Sequence, residues 1–318
     1  MNTIPVESMK VTVKRKGLRQ KLAKQKYLFL MLAPAFLLVF IFNYLTLGGW
    51  VIAFKNYQVG LSIWDAEWVG LTHFKSFLLA NNDYLYLLRN TLVMNFSMLI
   101  IILGAAMVFA ILLNELRMRL ISRVIQTVSF FPFFISWVIV YSITSALFSV
   151  TSGAVNESLL QWGILKEGMD ILGNPDFSWG LAVFVNLWKT LGYNGVIFIA
   201  AIASIPEELY EAAEMDGASR WHKIRYITIP GMMATVIVLL ILNSGWILNS
   251  NFEMYFLFTN SMNWEKMEVL DMYVYKFGVK LTNYPYATAV GILKTIVSVF
   301  LIMTVNRIAK RTSGKGIM

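Results

Sequence analysis

Ser204-Ile-Pro-Glu-Glu-Leu-Tyr-Glu-Ala-Ala-Glu-Met-Asp-Gly-Ala-Ser-Arg-Trp-His-Lys-Ile-Arg-Tyr-Ile-Thr-Ile-Pro230 is a charged island in an otherwise apolar chain, with five acids against three Lys or Arg. Ser204 and Glu207 have the spacing of a capping box, and Pro206 suits a first helical turn. Glu207 and Glu208 lie where the helix dipole favours negative charge. A short helix is predicted to begin there. Gly217 can take the left-handed conformation that ends a helix, and Asp216 or Ser219 can cap a second helix running toward Pro230. The island therefore reads as a helix, a sharp turn and a second helix.

The surroundings of the island are membrane-like. Hydrophobic residues make up 58% of the chain and charged residues 14%, with a mean hydropathy of +0.62, whereas a soluble domain carries about 25% charged residues. Six runs are long enough to cross about 30 Å of hydrocarbon as helices: 27–51, 92–113, 124–148, 179–203, 232–256 and 286–305. The first exceeds the apolar core of a signal peptide and lacks a small-residue cleavage site. The expected fold is an all-α membrane protein with six transmembrane helices. Its parts are a basic tail (1–26), a membrane domain (27–305) interrupted by the 204–230 loop, and a second basic tail (306–318).

Charge sets the expected orientation. The two tails with loops 114–123 and 204–231 hold 18 Lys and Arg, against 7 in the alternate loops 52–89, 149–179 and 257–285. The positive-inside rule then places both termini and the island in the cytoplasm. The net charge of +9 is thus an orientation signal rather than a nucleic-acid footprint. Zero Cys and two His exclude a cysteine zinc site, a disulfide framework and a His-rich metal centre. The outer loops carry Trp64, Trp68, Trp162 and Trp264, which suit the aromatic belts of a bilayer.

Within the island, Glu211, Ala212 and Ala213, then Gly217, Ile227 and Pro230, resemble the signature of permease subunits of binding-protein-dependent ABC importers. Six fixed letters at about one in fifteen each coincide by chance on the order of 10⁻⁷ times per start position. The resemblance implies a type I importer permease fold. It makes the island a coupling helix seated in a cleft of a cytoplasmic ATPase, with docking by Glu211, Ala212 and Ala213 and a bend at Gly217. Small alanines allow a partner's groove to approach, while Glu207, Glu211 and Glu214 offer carboxylates to basic residues. Arg89-Asn90-Thr91, the segment Phe131-Pro-Phe-Phe-Ile-Ser-Trp137 and Trp188-Lys189 are similar to permeases for oligosaccharides and polysaccharide fragments, the maltose-type and lipoprotein-linked group. The partners so implied are a second homologous permease, two ABC ATPases that bind ATP and Mg, an external solute-binding protein and membrane lipid. No cofactor is expected in this chain. A Gly-x-x-x-x-Gly-Lys phosphate loop is missing; the look-alike Ser313-Gly-Lys-Gly316 lacks the upstream glycine.

Three ionisable residues fall inside predicted spans, namely Lys189, Glu253 and Lys294, and such residues mark pathways or ion pairs. Helical spacing groups Asn186, Lys189 and Tyr193 on one face of span four, and Asn243, Trp246, Ser250 and Glu253 on one face of span five. With Lys294 of span six they form a candidate solute path, whose two lysines would suit a uronate-containing oligosaccharide. Two other readings stand beside it: Glu253 pairs with Lys294, or the amides and hydroxyls serve helix packing. A peptide or a small osmolyte is the alternative solute. An ATP-independent carrier would be expected to show inverted repeats, and a membrane enzyme would need a catalytic acid cluster; neither is visible.

Overall fold

Hydrocarbon offers a backbone no hydrogen bonds, so helices must satisfy their own. A computed structural model describes residues 25–80, 82–244 and 247–313, which excludes most of the first basic tail, Trp246 and the last five residues. Among the described residues no strand forms, and one isolated bridge pairs Lys55 with Trp68.

The chain divides into two units between Val51 and Ile52. The first contains α1 (Lys26–Val39), followed by a π turn at Phe40–Tyr44; neither buries a residue. In the second unit follow α2 (Asp83–Glu115), α3 (Arg119–Phe130), α4 (Trp137–Phe148), α5 (Ala154–Gln161) and α6 (Pro175–Ala203). They lead to α7 (Glu207–Met215), α8 (Arg220–Ser244), α9 (Phe252–Phe258), α10 (Leu270–Tyr275) and α11 (Tyr284–Ser313). Five helices, Lys26–Phe54, α2, α6, α8 and most of α11, are long and apolar enough to cross a bilayer; α3 and α4 make a sixth span if the pair counts as one.

Five expectations from the sequence need correction. Span three is not a continuous helix: Phe131–Phe134 tighten into a 3-10 turn containing Pro132, Ser136 is extended, and α3 meets α4 at 106°. Proline lacks the N–H that would continue the ladder. Span five also breaks, ending at Ser244, with α9 starting only at Phe252 under an Asn251 side-chain cap. Asn243, Ser250 and Glu253 therefore share no helical face. In the island, Ser204 turns back to donate to the Ala201 carbonyl (2.7 Å), so no capping box forms and Pro206 is the N-cap. The second island helix does not stop at Pro230 but continues as α8, where a π turn at Ile224–Thr228 absorbs the missing proline N–H. The last helix likewise runs on to Ser313, through the start of the predicted tail.

Small residues let the long helices approach closely. Leu103, Ala106 and Ala110 of α2 pack with Phe198, Ala201 and Ile202 of α6 and with Met232 of α8. A second cluster joins Met94, Trp137, Val140, Val185, Tyr255 and Phe258, from α2, α4, α6 and α9. The Arg89-Asn90-Thr91 motif is a clasp. Buried Asn90 donates to the carbonyls of Glu265 (2.8 Å) and Glu268 (3.0 Å), and the Thr91 hydroxyl accepts from the Leu270 N–H (3.0 Å). These bonds hold the 264–270 segment against α2.

Gly192 of α6 faces the Ser129 and Phe130 backbone of α3, which cannot rotate away from an added Cβ. Overpacking of this kind costs about 1–3 kcal/mol. Detergent-solubilised Gly192→Ala is expected to melt a few degrees below the parent chain. Gly180→Ala, with nothing within 4 Å of the new carbon, is expected to melt at the parent temperature or higher. Equal melting of the two variants would contradict the close approach.

Candidate functional site

The island folds as a compact hairpin of two helices. Gly217 takes the left-handed conformation at φ +74°, and its N–H reaches the Glu214 carbonyl (3.0 Å) while the Ala218 N–H reaches Ala213 (2.9 Å). Ser219 accepts from the His222 N–H and starts α8. Two side-chain contacts close the hairpin: Tyr210 with Thr228 (2.9 Å), and Lys223 with Glu214 (2.5 Å). The Lys223 hydrogen bond and charge hold the Glu214 carboxyl below its ordinary value. Because that folded value is lowered, the ion pair contributes fully above the usual glutamate range and is lost as pH falls through the lowered value.

Glu207, Glu211, Ala212 and Gly217 are exposed along this hairpin, Ala213 is half-buried, and Met215 is 89% exposed. The last two signature residues sit elsewhere. Ile227 and Pro230 line a cavity of about 370 Å³ beneath α7, together with Ile205, Leu209, Tyr226 and Gly231. The signature thus splits into an outward acidic and small-residue face, a bend, and an apolar seat.

The predicted solute-path residues divide among several places. Lys189 is 6% exposed, and its ammonium donates to the carbonyls of Pro132 (3.2 Å), Phe133 (2.9 Å) and Ile135. It occupies the break between α3 and α4. Tyr193 stacks on Phe133 at 4.2 Å beside it. Lys294 is bonded to Asp271, whose other oxygen accepts from the Ser250 N–H (2.8 Å), so Lys294 is paired with Asp271 rather than with Glu253. Glu253 is exposed on α9, and Trp246 lies outside the described residues.

Asn186 and Asn243 instead come together, in a cleft of about 230 Å³. Its other asparagines are Asn95 on α2, Asn194 on α6, and Asn249 and Asn251 from the break after α8; Thr190 joins them. Asn186, Thr190 and Asn194 are successive turns of one face of α6, a four-residue spacing visible in the sequence. Asn249 and Asn251 reach the cleft only because α8 stops, a break that the turn-forming residues Asn243-Ser244-Gly245 and Asn249-Ser250-Asn251 could have signalled. Asn95 ties the break in place by donating to the Ile247 carbonyl (2.8 Å) and the Ser250 hydroxyl (3.0 Å). The cleft offers amide donors and acceptors and no charged side chain. Hydroxyl-rich solutes match such a lining.

Known proteins resemble this chain in sequence and fold. Residues 100–314 match the family described as binding-protein-dependent transport system inner membrane component. Protein LplB of Bacillus subtilis (strain 168) is 40% identical over 93% of this chain and 92% of its own. The polygalacturonan/rhamnogalacturonan transport system permease protein YteP of the same organism is 40% identical over 96% of this chain and 94% of its own. A crystal structure of a bacterial ABC transporter involved in import of the acidic polysaccharide alginate contains a chain of TM-score 0.85 and 29% identity, covering 93% of this chain and 99% of that one. A second structure, with alginate pentasaccharide-bound periplasmic protein, gives TM-score 0.86 at 29% identity, covering 95% and 100%. With its two broken spans and its island hairpin, this chain belongs to the family of binding-protein-dependent transport system inner membrane components, the permease subunits of ABC importers.

Proposed function

We propose that this chain is one permease half of an ATP-driven importer for oligosaccharides, uronate-containing polysaccharide fragments among them. The asparagine cleft carries the reading. A lining of six amides, Asn95 contributing only its carbonyl, supplies directional hydrogen bonds to hydroxyls and carboxylates without a fixed counter-charge. At about 230 Å³ it is smaller than the roughly 300–1,000 Å³ of a complete ligand site. That suits one wall of a path whose other wall is a second, homologous permease. The names of YteP and of the alginate importer point to acidic polysaccharides. Since Lys189 and Lys294 are occupied by carbonyls and by Asp271, an acidic sugar would meet amide N–H groups here instead of lysines.

In this reading an external solute-binding protein delivers the solute, both termini and α7 face the cytoplasm, and two separate ATPases bind ATP and Mg. The chain has no phosphate loop of its own. The exposed face of α7, with Glu207, Glu211 and Ala212, docks on an ATPase. Gly217 with the Glu214–Lys223 and Tyr210–Thr228 contacts makes the hairpin rigid enough to pass ATPase motion into α8.

Two measurements on the complex co-expressed with its genomic neighbours test these parts separately. Uptake of labelled oligogalacturonide by Asn186→Leu or Asn243→Leu is expected to show a roughly 5- to 150-fold rise in apparent KM, the worth of one lost hydrogen bond of about 1–3 kcal/mol to a neutral or charged group. Glu253→Gln is expected to transport normally, and unchanged KM in both asparagine variants would remove the cleft from the path. Gly217→Val, forced into a conformation that costs a β-branched residue about 1–2 kcal/mol, is expected to lose solute-stimulated ATP hydrolysis more than tenfold while the subunits still copurify. Full stimulation in that variant would rule out α7 as the coupling element.

A further inference from the structure

We propose that the elbow between α2 and α3 is a binding site for the phosphate headgroup of an anionic phospholipid. A cavity of about 390 Å³ opens there, carrying Arg117, Arg119, Arg123 and Gln126, with Ile199 of α6 as part of its wall. Among the described residues the ion pairs are Glu214–Lys223, Glu268–Lys276 and Asp271–Lys294, so none of these arginines has a carboxylate partner. Glu115, the adjoining acid, is not part of the wall. Guanidinium groups converge on phosphate through paired N–H donors.

The backbone adds to this charge. Met118 is the N-cap of α3 and no side chain caps it, so the first-turn amides of a 12-residue helix remain available at the positive end of its dipole. The Ser122 hydroxyl donates to the Leu113 carbonyl (3.2 Å), which ties this turn to the end of α2 and sets the shape of the cavity.

A lipid rather than a free phosphate is favoured by the other face of the same helix. Arg119, Arg123 and Gln126 recur on the cavity side, whereas Leu120, Val124 and Val128 are 74%, 54% and 65% exposed. A helix with a basic face toward headgroups and an apolar face toward acyl chains suits the edge of a bilayer. Basic cavities between helix ends on the cytoplasmic side are the usual seats of anionic headgroups, and the orientation proposed above puts this elbow there. The far end of α3 is the break filled by Lys189, so a bound headgroup would hold the helix at its other end.

The purified full chain in a neutral detergent, titrated with dioctanoyl phosphatidylglycerol, dioctanoyl phosphatidylcholine or inorganic phosphate, tests this by native mass spectrometry. Phosphatidylglycerol is expected to bind at least tenfold more tightly than either of the others. At about fivefold per charge, Arg117→Gln/Arg119→Gln/Arg123→Gln is expected to weaken it on the order of 100-fold. The charge-matched Lys75→Gln/Lys166→Gln/Lys280→Gln variant is expected to bind as the parent does. Should the triple arginine variant not fold, Arg123→Gln alone is expected to lose about fivefold. Equal losses in both triple variants, no loss in the arginine variants, or inorganic phosphate binding as tightly as the lipid would each overturn the assignment.

Discussion

A helix broken inside hydrocarbon leaves carbonyls that neither lipid nor its own ladder can satisfy, at several kcal/mol apiece. Lys189 answers that demand at the turn between α3 and α4, giving its ammonium donors to Pro132, Phe133 and Ile135. The arrangement is reciprocal. An ammonium is itself expensive to bury, and three carbonyl dipoles with the nearby Trp137 and Phe133 rings make burial tolerable. The 106° bend and the buried lysine therefore require one another, and the aromatic stack of Tyr193 on Phe133 closes the same corner.

The second break, after α8, meets the same constraint with different groups. Asn95 supplies an amide to the Ile247 carbonyl, while Asp271 accepts the Ser250 N–H and is balanced by Lys294. What distinguishes the two breaks is their surroundings. The first is filled by aromatic rings and a cation; the second opens on a cleft lined by asparagines. Irregular backbone at membrane depth persists where it is buried in protein or borders a polar cavity, and this fold contains one of each kind.

The legible parts of the sequence were those fixed by local chemistry. The apolar runs, the island and its glycine bend follow from hydropathy, dipole and conformational preference, and the described residues include helices at all six predicted places and φ +74° at Gly217. Pro132 and the Asn- and Ser-rich stretch 243–251 mark both places as breakable, but what makes each break favourable is tertiary. Residues 232–256 read as one helix by composition, and only the docking of α9 and α10 against α2 makes interruption favourable. Three-residue spacing placed Lys189 with Asn186, yet on the real helix they diverge, one toward the α3–α4 corner and one toward the cleft. Asp271 could not be foreseen as the partner of Lys294 because it lay in a segment read as an outer loop.

Under the proposed function, these placements change which chemistry would recognise an acidic solute. Two free lysines on a path would bind a uronate tightly and release it slowly, whereas a transporter needs a site it can leave. Amides donate to a carboxylate without carrying a charge, and they pair equally well with the hydroxyls of the next sugar. In the proposed function, a chain of alternating hydroxyls and carboxylates would move past Asn186, Asn194 and Asn243 in small steps, each exchanging one modest hydrogen bond for another. Lys189 and Lys294, the cations that would make such a site sticky, are held by the carbonyls and the carboxylate that stabilise the two breaks.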